Sequence, residues 1–280
     1  MKVIVFLLFF LSYGALADNK DKEVNGYIDK TDNRLMNTRH IYGDTIYYFL
    51  PPSAETISIQ NQGHSPIVIN LEREILRAFE LWGQAGITFQ RTYEPSQENA
   101  IAFRIGNDGS AYGYTNFNSP RSAQAVSRVA IDTVALARDV PNYYSRLREN
   151  NLVSGEGGLS HFMQMMVRLT VVHEIGHALG LAHHDEADLD SIPGYPTRAA
   201  SRIVQCAASS SRPSIMLSGS TGSYIATLAR QLNRPVTLDD ITPSRNDIDG
   251  VTRMFERTQV LNTASLVCLA IWSALKGSEL

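Results

Sequence analysis

Apolar positions along the chain recur at two periods, one suited to strands and one to helices. Thr45-Ile46-Tyr47-Tyr48-Phe49-Leu50 is dense in residues that fit a pleated surface and stops at Pro51-Pro52, which predicts a strand. Ser65-Pro66 reads as a helix start, serine as N-cap and proline at the first helical position. Val68, Leu71, Ile75, Phe79 and Trp82 then follow a helical spacing. Residues 87–93, 100–105 and 126–132 read as strands, and Ala111 to Phe117 as a weaker one interrupted by Gly113. Residues 141–159, with Pro141, Gly155, Gly157 and Gly158, read as a loop or insertion. Ser160 is placed to cap a second helix, whose buried stripe is Phe162, Met166, Leu169 and Val172. Near the end, Ser244 and Asp247 suit a helix N-terminus, and Ile248, Val251 and Phe255 share one face.

The two ends read differently. Met1-Lys2, an apolar run from Val3 to Leu11 and the small-residue site Ala15-Leu16-Ala17 make residues 1–17 a secretory signal peptide, with an uncleaved anchor as the rival reading. Residues 18–40 are polar and lack apolar periodicity, as in a flexible lead-in. The apolar stretch Ala264 to Leu275 is too short to span a membrane; residues 258–280 read as a tail carrying a short apolar helix. Residues 18–280 are enough for one domain with a sizeable core. A formal charge of −3 without a basic patch points away from nucleic acid. Cys206 and Cys268 are the only cysteines. In an oxidising compartment they either pair or stay as two buried thiols, and spacing does not decide between these.

The candidate chemistry lies in His173-Glu174-Ile175-Gly176-His177-Ala178-Leu179-Gly180-Leu181-Ala182-His183. On a helix, His173 and His177 leave the same face one turn apart, so both can bind one tetrahedral zinc ion. Glu174 sits beside the first donor, where it can take a proton from a water without being a ligand. Gly180 is suited to end the helix in a left-handed conformation, after which His183 returns as a third ligand. Three protein ligands leave a fourth position for water, the mark of a catalytic rather than a structural zinc. The bland reading is two surface histidines and an exposed glutamate. It does not account for the glycine and third histidine at their fixed offsets.

This stretch resembles the metzincin zinc endopeptidases, and within them the matrixins. Met216, in Ser214-Ile215-Met216-Leu217, resembles the family's methionine turn, and Ser244 to Phe255 resembles the matrixin final helix. The likeness covers roughly residues 40–257 and is most specific at 173–183. It implies an α+β metzincin fold: a mixed, mostly parallel twisted sheet with the active-site helix, and a smaller, mostly helical lower lobe. The implied catalytic domain spans 41–257, divided near residue 183, with 111–117 as the edge strand of the upper lobe. Departures are visible. His184-Asp185 stands where matrixins place a serine, and the gap between His183 and Met216 is long for the family. Ser218 stands where astacins carry a tyrosine ligand. No histidine lies between His64 and His161, so one catalytic zinc is expected and no structural one. Calcium sites are not clearly matched, and Asn107-Asp108-Gly109 reads as a turn.

The expectation is a secreted (extracellular or periplasmic) zinc endopeptidase, monomeric and without a stable membrane anchor. His173, His177 and His183 are its metal ligands, Glu174 its general base, Met216 its methionine turn, and a protein or peptide its substrate. The alternatives are a secreted zinc-binding protein without activity and a zinc hydrolase of non-peptide amides or esters.

Overall fold

The computed structural model describes residues 27–29, 45–61, 63–97, 99–109, 111–117, 126–181, 203–205, 212–217 and 221–255. The signal peptide, His183, His184, both cysteines and the C-terminal tail lie outside the described residues.

Among the described residues the central sheet has five strands: β2 (Thr45–Phe49), β5 (Thr88–Arg91), β6 (Ala100–Gly106), β7 (Gly113–Phe117) and β8 (Val126–Asp132). Their order is β5-β2-β6-β8-β7. Every pairing is parallel except that of β7, which lies antiparallel to β8 at one edge with Thr115 opposite Val129. The fold is therefore α+β with a mixed, mostly parallel sheet, as the matrixin likeness implies. Alternation along β2 buries Ile46 and Tyr48, and Ile101, Phe103, Val129 and Ile131 extend the same core.

Two helix boundaries differ from the sequence expectation. Ser65-Pro66 does not start a helix. Ile67–Asn70 is strand β4, paired antiparallel with β3 (Thr56–Ile59). The period-2 pattern wins here: Ile57, Ile59, Ile67 and Ile69 are buried, while Val68 is 66 % exposed on the other face. Helix α1 begins at Leu71 and runs to Trp82, capped by the Asn70 side chain, which accepts from Arg73 N at 2.7 Å. Leu71, Ile75, Phe79 and Trp82 form its buried stripe as expected.

The second correction is larger. Residues 141–149, read as part of a loop, belong to helix α2 (Thr133–Glu149), with Pro141 inside it. The Asp132 carboxylate caps this helix by accepting from Val134 N and Ala135 N, and Leu136, Val140, Tyr144 and Leu147 are buried along it. Burying four such side chains contributes about 1.5–3 kcal/mol each, which outweighs about 3 kcal/mol for an interior proline.

Helix α3 (Gly158–Ala178) packs against α1, α2 and the β7–β8 edge of the sheet, and most of its side chains are buried. Its N-cap is Gly157, not Ser160. Gly157 has φ 70°, and a Cβ there would lie 2.6 Å from His161 Cβ, so a bare backbone sets the start of this helix. Phe162, Met166, Leu169 and Val172 are buried as expected. Two buried polar links fix α3 to α1. Trp82 Nε1 donates to Val172 O at 3.0 Å, and the fully buried Glu74 accepts from Arg168 Nε and Gln164 Nε2, each at 2.7 Å.

The remaining described elements are β1 (Tyr27–Asp29), β9 (Ile203–Gln205), α4 (Thr221–Leu232), α5 (Arg245–Phe255) and short 3₁₀ turns at Pro52–Ala54, Gly83–Ala85 and Leu238–Asp240. Apart from β9 and a single parallel bridge from Val236 to Val153, the elements described after α3 are helical. Residues 27–29, within the stretch read as a flexible lead-in, pair antiparallel with β9.

Candidate active site

His173, Glu174 and His177 occupy the last two turns of α3. The helix ends as Gly180 predicts. Gly180 has φ 108°, its N–H donates to His177 O at 2.9 Å, and Leu181 N donates to Gly176 O at 3.0 Å. These two bonds are the Schellman pattern of helix termination. The turn has a second effect: it brings Leu181 O to 2.8 Å from His177 Nδ1. His173 Nδ1 lies 2.8 Å from Ile215 O. A carbonyl oxygen only accepts, so both Nδ1 atoms carry a proton. The two rings are 4.7 Å apart between centroids and nearly perpendicular.

The segment that holds His173 is itself held. Ser214 Oγ donates to Asp247 Oδ1 at 2.5 Å, and Ile215 N donates to Asp247 Oδ2 at 2.9 Å. Ser244 N and Ser244 Oγ both donate to the same Oδ2 at 2.8 Å, while Asp247 N donates back to Ser244 Oγ at 3.2 Å. Asp247 thus caps α5 and also anchors the 214–217 turn, and it is fully buried. Met216 is fully buried beneath α3. A Cβ on Gly176 would overlap Met216 Sδ and come within 3.0 Å of Trp82 Cζ2. Gly176 is therefore the space Met216 fills.

Glu174 is 5 % exposed. Burial pushes its carboxyl above the ordinary range, while the neighbouring His173 and a hydrogen bond from Thr115 act in the opposite direction. Thr115 Oγ1 lies 2.7 Å from Glu174 Oε2 and 2.9 Å from Glu174 O. It reaches them because β7 runs very close to α3: a Cβ on Gly113 would lie 2.5 Å from Thr170 Cγ2 and 2.9 Å from Glu174 Cγ.

Of the three histidines expected to bind metal, two are brought together here and His183 lies outside the described residues. Among the described residues, no three His, Cys, Asp or Glu side chains converge on one point. The donors present do fit zinc: two imidazoles one turn apart, each with Nδ1–H donating to a backbone carbonyl, as the outer contact of a metal-bound histidine does. Tyr224, near the methionine turn in sequence, is buried in α4, and its hydroxyl is pushed up by burial. Thr115 was not among the expected site residues, since only the strand–helix contact gives it a role. Asp247 was legible as a helix start but not as an anchor for the turn.

The family profile described as Matrixin matches residues 52–202 of this chain. The solved structure described as "GM1 bound form of the ECX AB5 holotoxin" contains a chain that is 32 % identical, with a TM-score of 0.67. That match covers 84 % of this chain and 89 % of the other. No curated protein matches the chain. With the profile spanning more than half of the chain, on a mixed sheet that carries the histidine helix above the buried Met216, this protein belongs to the matrixin family of zinc metallopeptidases.

Proposed function

We propose that this chain is a secreted zinc endopeptidase in which His173, His177 and His183 hold the metal and Glu174 is the general base. The observation that carries the reading is the pair of Nδ1–H bonds to Ile215 O and Leu181 O, set beside a buried, hydrogen-bonded carboxylate. When bound, zinc supplies Lewis acidity toward the scissile carbonyl and makes a water more acidic. Glu174 takes the proton of the attacking water and delivers it to the leaving amine nitrogen. His173 and His177 each donate Nδ1–H to a carbonyl, which fixes the ring orientation and makes Nε2 the nitrogen that would bind the metal. Strand β7 supports the substrate reading. It stands at the sheet edge, paired only with β8 among the described residues, and an extended peptide can add to such an edge by backbone hydrogen bonds. Secretion rests on the signal-peptide pattern of residues 1–17.

The test is turnover of a quenched peptide library with and without a zinc chelator. Chelator-sensitive cleavage is expected. Zinc binding without cleavage of any peptide favours the inactive binding protein, and hydrolysis of simple amides or esters alone favours the non-peptide hydrolase.

A second reading concerns assembly. The matched structure is described as a holotoxin, and the likeness runs through most of both chains. We infer from this extent that the chain works as the enzymatic member of a multi-subunit toxin rather than as the monomer its sequence suggested. Light scattering on material secreted from its natural source tests this. A particle of several chains is expected, and a species of one chain's mass overturns it.

A further inference from the structure

We propose that Thr115 is a positioning residue for Glu174, its hydroxyl holding one carboxylate oxygen so that the other is aimed at the attacking water. This rests on Glu174 being the general base. Glutamate is a flexible side chain, and a base that must meet a water at hydrogen-bond distance gains from being held in one rotamer. Among the described residues the only hydrogen bond to the Glu174 carboxylate is the one at Oε2 from Thr115, at 2.7 Å. Oε1 is thereby the oxygen left to meet a water.

Three further features support the assignment. Thr115 is 8 % exposed, so its hydroxyl competes little with solvent for the carboxylate. Gly113, two residues earlier on the same strand, permits the approach of β7 to within contact of Glu174 Cγ. The Thr115 hydroxyl also lies 2.9 Å from Glu174 O, so one proton serves two acceptors on one residue, and strand and base are registered to each other. Because β7 is the edge to which a peptide would add, the strand that carries substrate and the residue that orients the base are the same element.

The competing explanation is that Thr115 only packs β7 on α3. A double-mutant cycle with a structural readout separates the two. Thr115→Val, Thr115→Ala and Thr115→Ser are made in the natural chain and in Glu174→Gln, and kcat, KM, zinc content and melting temperature are measured on a fluorogenic peptide. Thr115→Val is expected to lower kcat by about tenfold to a hundredfold, the rate equivalent of one hydrogen bond to a charged group, with KM and zinc content within about twofold. Thr115→Ala serves the same arm if the valine variant folds poorly. Thr115→Ser should restore most of kcat. In the Glu174→Gln background, Thr115→Val should cause no further loss. A crystal structure of metal-free Thr115→Val should show the Glu174 carboxylate away from its natural position. An unchanged kcat, an equal loss in both backgrounds, an effect confined to KM, failure of serine to rescue, or an unmoved carboxylate would each overturn the inference. Near-normal activity of Glu174→Gln itself would instead overturn the base assignment on which it rests.

Discussion

Asp247 is the residue through which the final helix acts on His173, and replacing it with alanine exposes that linkage. The carboxylate accepts from Ser214 Oγ, Ile215 N, Ser244 N and Ser244 Oγ with no exposure of its own. Asp247→Ala leaves two buried backbone donors and two buried hydroxyls without that acceptor. Each orphaned group costs about 1–3 kcal/mol, but relaxation and water entry make the costs less than additive. A total of about 3–5 kcal/mol is expected, the range for removing one side of a buried charged network. The second effect is on metal. Ile215 O orients His173, and loss of such outer contacts typically weakens metal binding by about tenfold to a hundredfold. Urea unfolding of the metal-free protein measures the first quantity, and competition with a chelating dye measures the second. Glu80→Ala is the control. Glu80 meets only the exposed Arg77 on α1, at 2.7 Å, and its loss should cost no more than about 1 kcal/mol. An Asp247→Ala protein with natural stability and natural zinc affinity would refute the linkage.

Other consequences are more local. Gly113→Ala places a methyl against Thr170, Glu174 and the Ala130 carbonyl, so it should cost about 1–3 kcal/mol in thermal unfolding and lower peptide turnover as β7 is displaced. Arg168→Leu takes the buried guanidinium from the fully buried Glu74, leaving it Gln164 and the more exposed Arg73, and should cost about 3 kcal/mol, whereas replacing Glu74 and Arg168 together by apolar residues should recover part of it, measured by chemical denaturation. Asp240 gives an acid dependence. Burial raises its carboxyl, but bonds from Arg234 and Thr237 outweigh this and hold it at about 2. Its folded value lies below its unfolded one, so its stabilisation of about 2 kcal/mol is present above about pH 4 and is lost as pH falls toward about 2. Asp240→Asn should therefore be less stable than the natural protein at neutral pH, and the gap should close across that acid window.

Much of this was legible in the chain because local and long-range signals agreed. The stripe of α3, the stop at Gly180 and the strand Val126–Asp132 follow directly from periodicity and glycine chemistry. Reading failed where two local signals competed. At Ser65-Pro66 a good cap signal stood against the alternation of Ile67 and Ile69, and pairing with β3 decided the outcome. At Pro141 a breaker obscured the stripe of Leu136, Val140, Tyr144 and Leu147, which the sequence carries in plain view. Thr115 and Glu174 are 59 positions apart, and nothing local marks a threonine in a weak strand as the partner of a distant carboxylate. The same holds for Gly176, whose place in a helix makes sense only once Met216 and Trp82 are seen against it.

The central claim is that the two histidines serve metal binding while Glu174 serves proton transfer, and Glu174→Gln tests it most directly. The amide keeps nearly the volume of the carboxylate and leaves both Nδ1–H bonds to Ile215 O and Leu181 O in place. Elemental analysis should find one zinc per chain in both the natural protein and the variant. Peptide turnover by the variant should fall by about a hundredfold to ten-thousandfold, the usual worth of a general base. Zinc retained with near-normal peptide hydrolysis would contradict the account.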